Sequence, residues 1–541
     1  MENLEAYSKD PEKIGQELLF KILKDNENTE YGKKVGFSDV KTVEDYKKNI
    51  PLTTYDDYAE YVVRELAGKE EHLHSAYDVA QYNESSGTMG VIKKIPMSSV
   101  SKEYLIDYAF AMPYGMAAKR FGDDFLKGKA LSVAEVSVGD VAGSEKHSGV
   151  SGQGVYDWQV IQSKMFTSPV EAVIPEADTD SRYLHARYGL ACKDVSSLQT
   201  TFITFLLDMF NYIKGNWAML CRDIATGSID PSVKMPKAVR SKLTSELLPM
   251  PERAEELRRI FSEGFDNSIA KKIWPNLAFI MGISTGTFSI YLRKLRENYV
   301  SADVPAVMIG VTVSEGAISA PYDFDTSDFA PLGHTMFMEF LPLGEEDPSK
   351  TCTISEVEIG KDYEVIITTQ SGLYRYRTRD AVRFVKMYNS LPTMEYLYRI
   401  DMSINLDGEK TYEVDLKTAM DATAEALGFE YVDFCVYPDA DVSPPRYRFF
   451  IECSRRPKMK LTAVSARLQE ELVKVNPILE YLFSRRILGP VEIHLLKKGT
   501  YALWTQQQAL LDGPAQVKSV RIILNDKQLE FFRTFVDKAK Q

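Results

Sequence analysis

The stretch NESSGTMGVIKKIP, residues 83–96, combines three small hydroxyl residues, two glycines and two lysines. Hydroxyl groups and the open backbone at glycine suit the binding of a phosphate, and a lysine adds a mobile positive charge. The stretch has neither the GK[ST] ending of a Walker loop nor a GxGxxG fingerprint. Taken alone, such a loop is more often a turn, here before a helix that begins near Ser98.

The composition indicates a large globular protein that acts on small molecules. A chain of 541 residues exceeds one ordinary core, so we expect at least two domains. The net charge is -12, and the basic residues are interspersed with acids. Because no basic block is present, a nucleic-acid or anionic-membrane surface is not expected.

The cysteines and histidines indicate no disulfide framework and no zinc site. The five cysteines are far apart and form no CxxC pair, and the six histidines show no metal-ligand spacing. The N-terminus lacks the basic start and continuous apolar core of a secretory signal, and it is predicted to be a folded helix. No apolar segment is long enough to cross a bilayer. We therefore expect a reducing, cytoplasmic compartment.

Helical and strand-like patterns alternate along the first 400 residues, which favours an α/β architecture. A helix is predicted to begin at Pro251, with Gly264 near its end. Strands are predicted at residues 306–313, 363–369 and 373–376, the last two joined by a tight turn at Gln370-Ser371-Gly372.

The character of the chain changes at the polar stretch LDGEKTYEVD, residues 406–415. The order that follows is helix, strand (429–437), strand (446–453), helix, helix and strand (491–496), which predicts a small α+β domain. We predict a large N-terminal domain at 1–404, a hinge at 405–415 and a small C-terminal domain at 416–541.

Several motifs occur in an order that is more specific than any one of them. Besides SSGTMGVIKKIP, they are LLFKILKDNENTEYGKKVGF, IPLTTYDDYAEYV, NWAMLCRDIATGSI, IWPNLAFIMGISTGTFSIYL, VTVSEGAISAPYD, YEVIITTQSGLYRYRTRDAVRF, INLDGEKTYEVDL and GPAQVKSVR. Over almost the whole chain they resemble the GH3 family of acyl acid amido synthetases. The resemblance implies an adenylate-forming fold with a large N-terminal domain and a smaller, mobile C-terminal domain.

The resemblance also implies an ATP site. The candidate ATP or AMP ligands are Ser85, Ser86, Gly87, Thr88, Lys93, Ser314, Tyr374, Arg377 and Asp380. Asp380 matches the aspartate that accepts hydrogen bonds from the ribose hydroxyls; its alternative is a surface partner for a neighbouring arginine. Glu315 matches the carboxylate that holds Mg²⁺ in this family; by spacing alone, it is read as the cap of a following helix.

Two tyrosines and two lysines complete the candidate site. Tyr374 and Tyr376, expected on one strand face, either flank the adenine or pack in the core, and core packing is favoured for Tyr376. Lys410 and Lys518 match the hinge and C-terminal lysines of the family, so the resemblance makes them, with Glu315, the catalytic residues. In isolation each lysine is read as solvated surface.

The chain also departs from the family pattern. Arg379 replaces the glycine that precedes the ribose-binding aspartate, so either the backbone differs there or a charge lies beside the nucleotide. Met89 and Val91-Ile92 replace more polar loop residues. Residues 104–120 are a candidate lining of the acid pocket, although their aromatic and Met side chains are more often core.

The function implied by the resemblance is ATP- and Mg²⁺-dependent ligation of a carboxylic acid to an amino acid, by a monomer. An acyl-CoA ligase shares the first step and stays open as an alternative. A nucleotide-binding protein that has lost catalysis is the second alternative, motivated by Arg379 and Met89.

Overall fold

The computed structural model describes most of the chain. The described residues are 1–68, 70–84, 93–134, 139–140, 146–147, 165–176, 178–284, 289–400, 403–404, 406, 409, 411–484, 486–512, 520–523 and 525–537. They form two compact units. The larger unit spans 1–378 and 382–396, and the smaller spans 379–381 and 397–537. The predicted boundary and hinge stay predictions.

Helices make up much of the larger unit. The predicted N-terminal helix is two helices, because Pro11 begins a new first turn directly after Asp10. The predicted helix at Pro251 is confirmed, and it buries Ala254 and Leu257. In chain order the helices are α1 (Glu2–Lys9), α2 (Pro11–Asn26), α3 (Glu30–Val35), α4 (Val43–Asn49), α5 (Ala59–Leu66), α6 (Ser99–Leu105), α7 (Met112–Phe121), α8 (Val170–Val173), α9 (Ser181–Ala191), α10 (Ile203–Thr226), α11 (Lys237–Glu246), α12 (Pro251–Ser262), α13 (Ile269–Ile273) and α14 (Ser289–Asn298). A π-helical turn, Ile106–Ala111, joins α6 to α7.

The strands of the larger unit form two four-stranded sheets and several hairpins. They are β1 (Val79–Glu84), β2 (Lys94–Ser98), β3 (Lys129–Val133), β4 (Gly139–Asp140), β5 (Lys146–His147), β6 (Val195–Phe202), β7 (Phe279–Ile283), β8 (Ala306–Met308), β9 (Thr312–Val313), β10 (Gly316–Ala317), β11 (Ser319–Ala320), β12 (Ala330–Pro331), β13 (Phe337–Pro342), β14 (Asp362–Thr368), β15 (Tyr376–Tyr388) and β16 (Leu391–Arg399). One sheet is parallel, in the order β3-β6-β7-β8. The other has the order β13-β14-β15-β16.

The parallel sheet is buried on both faces, as is usual for a parallel sheet. Successive side chains of β7 point to opposite faces. Phe279 and Met281 therefore belong to one core cluster, shared with the N-terminal helices and β13–β15, while Ile280 belongs to the other. The second cluster includes α9, α10 and α12, so helices cover both sides of the sheet. The predicted α/β class of the large domain is confirmed.

Two predicted strands differ from those in the structure. The strand predicted at 306–313 is divided into β8 and β9, because Val311 leaves the sheet and its carbonyl accepts the Ile318 N–H at 2.9 Å. The tight turn before residue 373 is present, with Gly372 at φ 91°. The second strand, however, begins only at Tyr376, because Arg375 adopts φ 47° and interrupts the extended backbone.

The smaller unit has the predicted order of elements. Its first part contains β17 (Ser403–Ile404), β18 (Thr411–Tyr412), α15 (Glu413–Leu427), β19 (Glu430–Asp439), β20 (Arg446–Arg455), α16 (Leu461–Val475), α17 (Ile478–Ser484) and β21 (Glu492–Leu495). Two further helices follow, α18 (Thr500–Asp512) and α19 (Asp526–Thr534). β19 pairs antiparallel with β20, and β20 pairs parallel with β21, giving a mixed three-stranded sheet under helices. None of the described helices combines the length and hydropathy that a membrane span requires.

Candidate active site

The stretch at residues 83–96 forms the end of an antiparallel hairpin. β1 pairs with β2 up to Glu84 and Lys94, so the residues between them connect the two strands. Ser85, Ser86, Gly87, Thr88 and the departing Met89 lie outside the described residues. Lys93 is described, and its Nζ lies 5.6 Å from the centre of the Tyr55 ring.

Asn83 ties this hairpin to the Ser314-Glu315 turn. The side chain of Asn83 is fully buried, and its Nδ2 donates to the Ser314 carbonyl at 2.7 Å. Gln81 on the same strand donates to Asn83 Oδ1 at 2.7 Å, which fixes the amide in this orientation. Two motifs that are 231 residues apart in sequence are therefore joined by one partly buried hydrogen bond. Nothing in the sequence alone singled out Asn83.

Glu315 lies in the turn between β9 and β10, where Val313 pairs with Gly316. The alternative of a helix cap is wrong, because a strand follows. Glu315 is only 9% exposed and has no hydrogen-bond or ion-pair partner among the residues the structure describes. Gly316 has φ 149°, and a Cβ there would lie 3.0 Å from the Met336 methyl, so the turn requires glycine.

Tyr374 does not fit the predicted contact with adenine. It is completely buried, its ring stacks on Tyr31 with centroids 5.3 Å apart, and its hydroxyl donates to the His74 carbonyl at 2.8 Å. It also precedes β15 rather than lying on it, so it does not share a strand face with Tyr376. Tyr376 is buried as well, as favoured from its sequence. The physical reason is that Tyr31 and Phe37 pack against the Tyr374 ring, with centroids 5.3 and 4.6 Å away.

Arg375 lies directly before β15 and was not singled out from the sequence. Its side chain bonds to several segments of the larger unit, and this set of contacts is called the Arg375 corner. Arg375 is fully buried beside Glu339, to which Nη2 donates at 2.9 Å and Nε at 3.1 Å. Further bonds go to the carbonyls of Lys47, Ile50 and Pro348. Because removing either partner would leave a buried charge unpaired, these contacts hold the segments of the Arg375 corner together.

Arg377, a predicted nucleotide ligand, pairs with Glu364 on the neighbouring strand β14. Its Nε lies 3.1 Å from Glu364 Oε1, and the arginine is 26% exposed. Its backbone N–H donates to the Thr53 carbonyl at 2.9 Å. The guanidinium is thus held by a carboxylate and still reaches solvent.

Asp380 is buried on β15 rather than on the surface. It is 3% exposed, and its Oδ1 lies 4.0 Å from an Nη of Arg399. The preceding Arg379 has φ 62°, the left-handed region that glycine favours. Arg379 therefore has a backbone conformation that glycine adopts readily, and both alternatives raised by the missing glycine stay predictions.

Lys410 and Lys518 lie outside the described residues, but the residues beside them are described. Glu409 is 3% exposed and accepts a hydrogen bond from the Tyr447 hydroxyl at 2.8 Å. Arg521, three residues after Lys518, is buried in the smaller unit.

The segment at residues 104–120 forms the end of α6, the π-helical turn and α7. α6 packs against β10, directly after Glu315. Within the segment, Tyr108, Met112 and Met116 are buried in the core. The Tyr108 hydroxyl contacts His334 Nε2, and burial lowers the pKa of His334 to about 4, so this imidazole is neutral at pH 7. Most of the segment therefore lies in the hydrophobic core, which was the alternative to a lining of the acid pocket.

One cavity in the described part of the larger unit has a volume of about 770 Å³. Charged side chains of α14 and the loop before β12 form much of its wall, including Arg293, Arg296, Glu297 and Asp325. None of the predicted site residues that the structure describes lines it. No group of three His, Cys, Asp or Glu side chains converges as a metal site within the described ranges.

The sequence matches three family domains in order. Residues 1–305 match the GH3 family N-terminal domain, residues 329–399 the GH3 family central domain, and residues 414–527 the GH3 family C-terminal domain. The chain belongs to the GH3 family. Among its relatives, the jasmonoyl-L-amino acid synthetase GH3.5 of Oryza sativa subsp. japonica is 28% identical, over 92% of this chain and 89% of the relative.

Solved structures support the same fold for this GH3 chain. The GH3.15 acyl acid amido synthetase matches with a TM-score of 0.82 at 24% identity, over 98% of this chain and 95% of that one. A 2-hydroxyisobutyryl-CoA ligase in complex with R3-HIB-AMP matches with a TM-score of 0.53 at 11% identity, over 96% and 89%. The fold is therefore shared with an enzyme whose acceptor is a thiol, and the fold does not identify the acceptor.

Proposed function

We propose that this GH3 chain is an ATP-dependent ligase that activates a carboxylic acid as an acyl-adenylate and transfers the acyl group to the amine of an amino acid. One observation carries the proposal. The Glu315 carboxylate is 9% exposed without a partner in the described part of the chain, on a turn that Asn83 ties to the end of the β1–β2 hairpin. A buried, unpaired carboxylate is costly for the fold, so its retention favours a ligand.

The donor set fits Mg²⁺ bound together with a nucleotide. Mg²⁺ prefers oxygen ligands and is commonly held by one or two carboxylates together with substrate phosphates and water. Glu315 would supply such a carboxylate. When bound, Mg²⁺ offsets the negative charge of the phosphates.

The other ligands follow from their chemistry. We assign Ser85, Ser86, Gly87, Thr88 and Lys93 to the phosphates, and the Ser314 turn to the same end of the nucleotide. The buried Asp380 has the two acceptor oxygens that a ribose diol requires. Arg377 is held by Glu364 and keeps an exposed edge for an anion. Tyr374 is left out because it has no open face.

The reaction has two displacements. An oxygen of the substrate carboxylate attacks the α-phosphorus of ATP, the bond to the β-phosphate oxygen breaks, and pyrophosphate leaves. The amine nitrogen then attacks the acyl carbon, AMP leaves with the bonding electron pair, and the ammonium proton passes to solvent. Lys518 and Lys410 stabilise the charge that develops on the α-phosphate in the first step.

The decisive experiment is single-turnover pyrophosphate release across a panel of carboxylic acids, with amino acids, coenzyme A or neither as acceptor. We expect release with at least one acid, and AMP release that depends on an amino acid. Lys518→Ala should slow adenylation by roughly two to three orders of magnitude with nearly unchanged ATP affinity. Lys527→Ala, at an exposed lysine of α19, is the control.

Each contrary result has a clear meaning. AMP release that depends on coenzyme A alone would identify an acyl-CoA ligase. Binding of ATP without pyrophosphate release for any acid would identify a protein that has lost catalysis. An unchanged rate in Lys518→Ala would remove this lysine from the mechanism.

We also propose that the protein acts as a cytoplasmic monomer. All five cysteines are free thiols, which supports a reducing compartment. Size-exclusion chromatography with light scattering tests the monomer.

A further inference from the structure

The backbone around Arg521 is attached to the edge of the small sheet. The Arg521 carbonyl accepts the Val436 N–H at 2.8 Å, and the Ile523 N–H donates to the Val436 carbonyl at 2.8 Å. Val436 lies on β19, the edge strand of the order β19-β20-β21. The chain that follows Lys518 is therefore fixed to this strand by two backbone hydrogen bonds.

The Arg521 side chain is buried and contacts two carboxylates. It is 4% exposed, and Nη2 donates to Asp433 Oδ1 at 2.9 Å. Nη1 donates to the Phe434 carbonyl, and the guanidinium lies 3.9 Å above the Phe434 ring. Nε lies 3.7 Å from Glu413 Oε1, the first residue of α15. That distance is an ion pair rather than a direct hydrogen bond.

The charge on Arg521 persists despite its burial. Burial lowers the pKa of the guanidinium, but Asp433 and Glu413 raise it by more, so the pKa lies above its usual value. Glu413 also lies at the N-terminus of α15, where the helix dipole favours a negative charge. The guanidinium of Arg521 therefore keeps its positive charge beside Glu413.

Glu413 and Arg521 each lie close in sequence to one of the two candidate lysines. Glu413 is three residues after Lys410, and Arg521 is three residues after Lys518. Three residues of chain span at most about 11 Å. A single buried guanidinium therefore connects the two segments of the smaller unit that carry these lysines.

We propose that Arg521 is a positioning residue that, through Glu413, couples the Lys410 and Lys518 segments so that both ammonium groups serve the same phosphate. This inference rests on the proposed function of the two lysines. Arg521 itself contacts neither substrate nor nucleotide, and its effect on the reaction passes through Lys518.

Amide hydrogen exchange tests the coupling without any assay of activity. Glu413→Gln removes the charge on α15, and we expect the Ile523 amide on the other segment to exchange several-fold faster. Arg521→Lys should in turn accelerate exchange at the first turn of α15. The control is Glu471→Gln on α16, which also removes a largely buried, paired carboxylate of this unit. Changes confined to the mutated segment, or equal changes in the control, would overturn the proposal.

Kinetics separate positioning from mere stability. Glu413→Gln should lower the adenylation kcat roughly tenfold or more with the KM for ATP unchanged, because misplacement of a catalytic charge costs rate rather than binding. In a Lys518→Ala background it should cause no further loss. An equal loss in both backgrounds would mean a structural role. Inactivity of the wild type with every acid would contradict the proposed function, while the exchange experiment would still decide the coupling.

Discussion

The Ser314-Glu315 turn and the Arg375 corner each contain a buried charged side chain of the larger unit, and the two side chains differ in their bonding partners. Arg375 is fully buried, and its guanidinium is bonded to Glu339 and to three carbonyls. Glu315 is 9% exposed and has no partner in the described part of the chain. Because a buried charge is costly unless it is paired, losing the partner of Arg375 should destabilise the fold, whereas Glu315 has the environment that we propose for a ligand-binding carboxylate.

Burial and bonding separate residues that pack from residues that are candidates for function within the same motifs. Both regions lie in segments that resemble the family, so the resemblance alone marked Tyr374, Arg377 and Glu315 alike. Burial and bonding distinguish them: Tyr374 fills the core, whereas Glu315 has no partner among the residues that the structure describes. Substitutions at these residues test this distinction.

The largest effect is expected at Arg375. Arg375→Met leaves Glu339 buried without its cation, so the free energy of unfolding should fall by about 3–5 kcal/mol in urea titrations. The control is Arg383→Met on the same strand, whose half-exposed guanidinium pairs with Asp362 and should cost about 1 kcal/mol or less. Equal losses would mean that the Arg375 network is no stronger than a surface pair.

Glu315→Gln should separate activity from stability. The amide keeps the shape of the side chain but removes the charge, so we expect adenylation to slow by roughly two orders of magnitude. Because an unpaired buried charge is removed, the melting temperature should stay constant or rise. Glu346→Gln, at an exposed acid, serves as control. A lower melting temperature with full activity would show that Glu315 is a structural residue, and the contrast with Arg375 would then be wrong.

Asp380→Ala should weaken ATP binding. The loss of charge-assisted hydrogen bonds to the ribose should cost on the order of 1.5–3 kcal/mol, which is roughly tenfold or more in affinity by calorimetry. Asp362→Ala removes a carboxylate that pairs with Arg383 and should leave ATP affinity unchanged. The same affinity in wild type and Asp380→Ala would make the ribose assignment wrong.

The smallest effect is expected at Arg379. Because Arg379 has φ 62°, Arg379→Gly relieves left-handed strain and should raise the free energy of unfolding by about 1 kcal/mol or less. The ATP affinity of this variant decides a separate question. Weaker binding would place the guanidinium charge beside the nucleotide, whereas faster adenylation would indicate a loop restored towards the family pattern.

Much of the fold was predictable, because hydrophobic periodicity is local. The helix at Pro251 and the order of elements in the smaller unit follow from such patterns. The division of the strand at 306–313 was not predictable, because it depends on Val311 bonding to Ile318 instead of continuing in the sheet. The break at Arg375 was equally hidden, since its φ of 47° is sustained by contacts with distant segments.

The sequence alone determined the family, the reaction class and the identity of the candidate ligands, because ordered motifs and side-chain chemistry are properties of the chain. Only the tertiary structure decided which of the described residues are buried and which are paired. Asn83, Arg375 and Arg521 lie in or beside the quoted motifs, but the motifs do not reveal their contacts, which join segments that are distant in the chain. The physical reason is that burial and pairing are set by what packs around a side chain, and those neighbours come from elsewhere in the sequence.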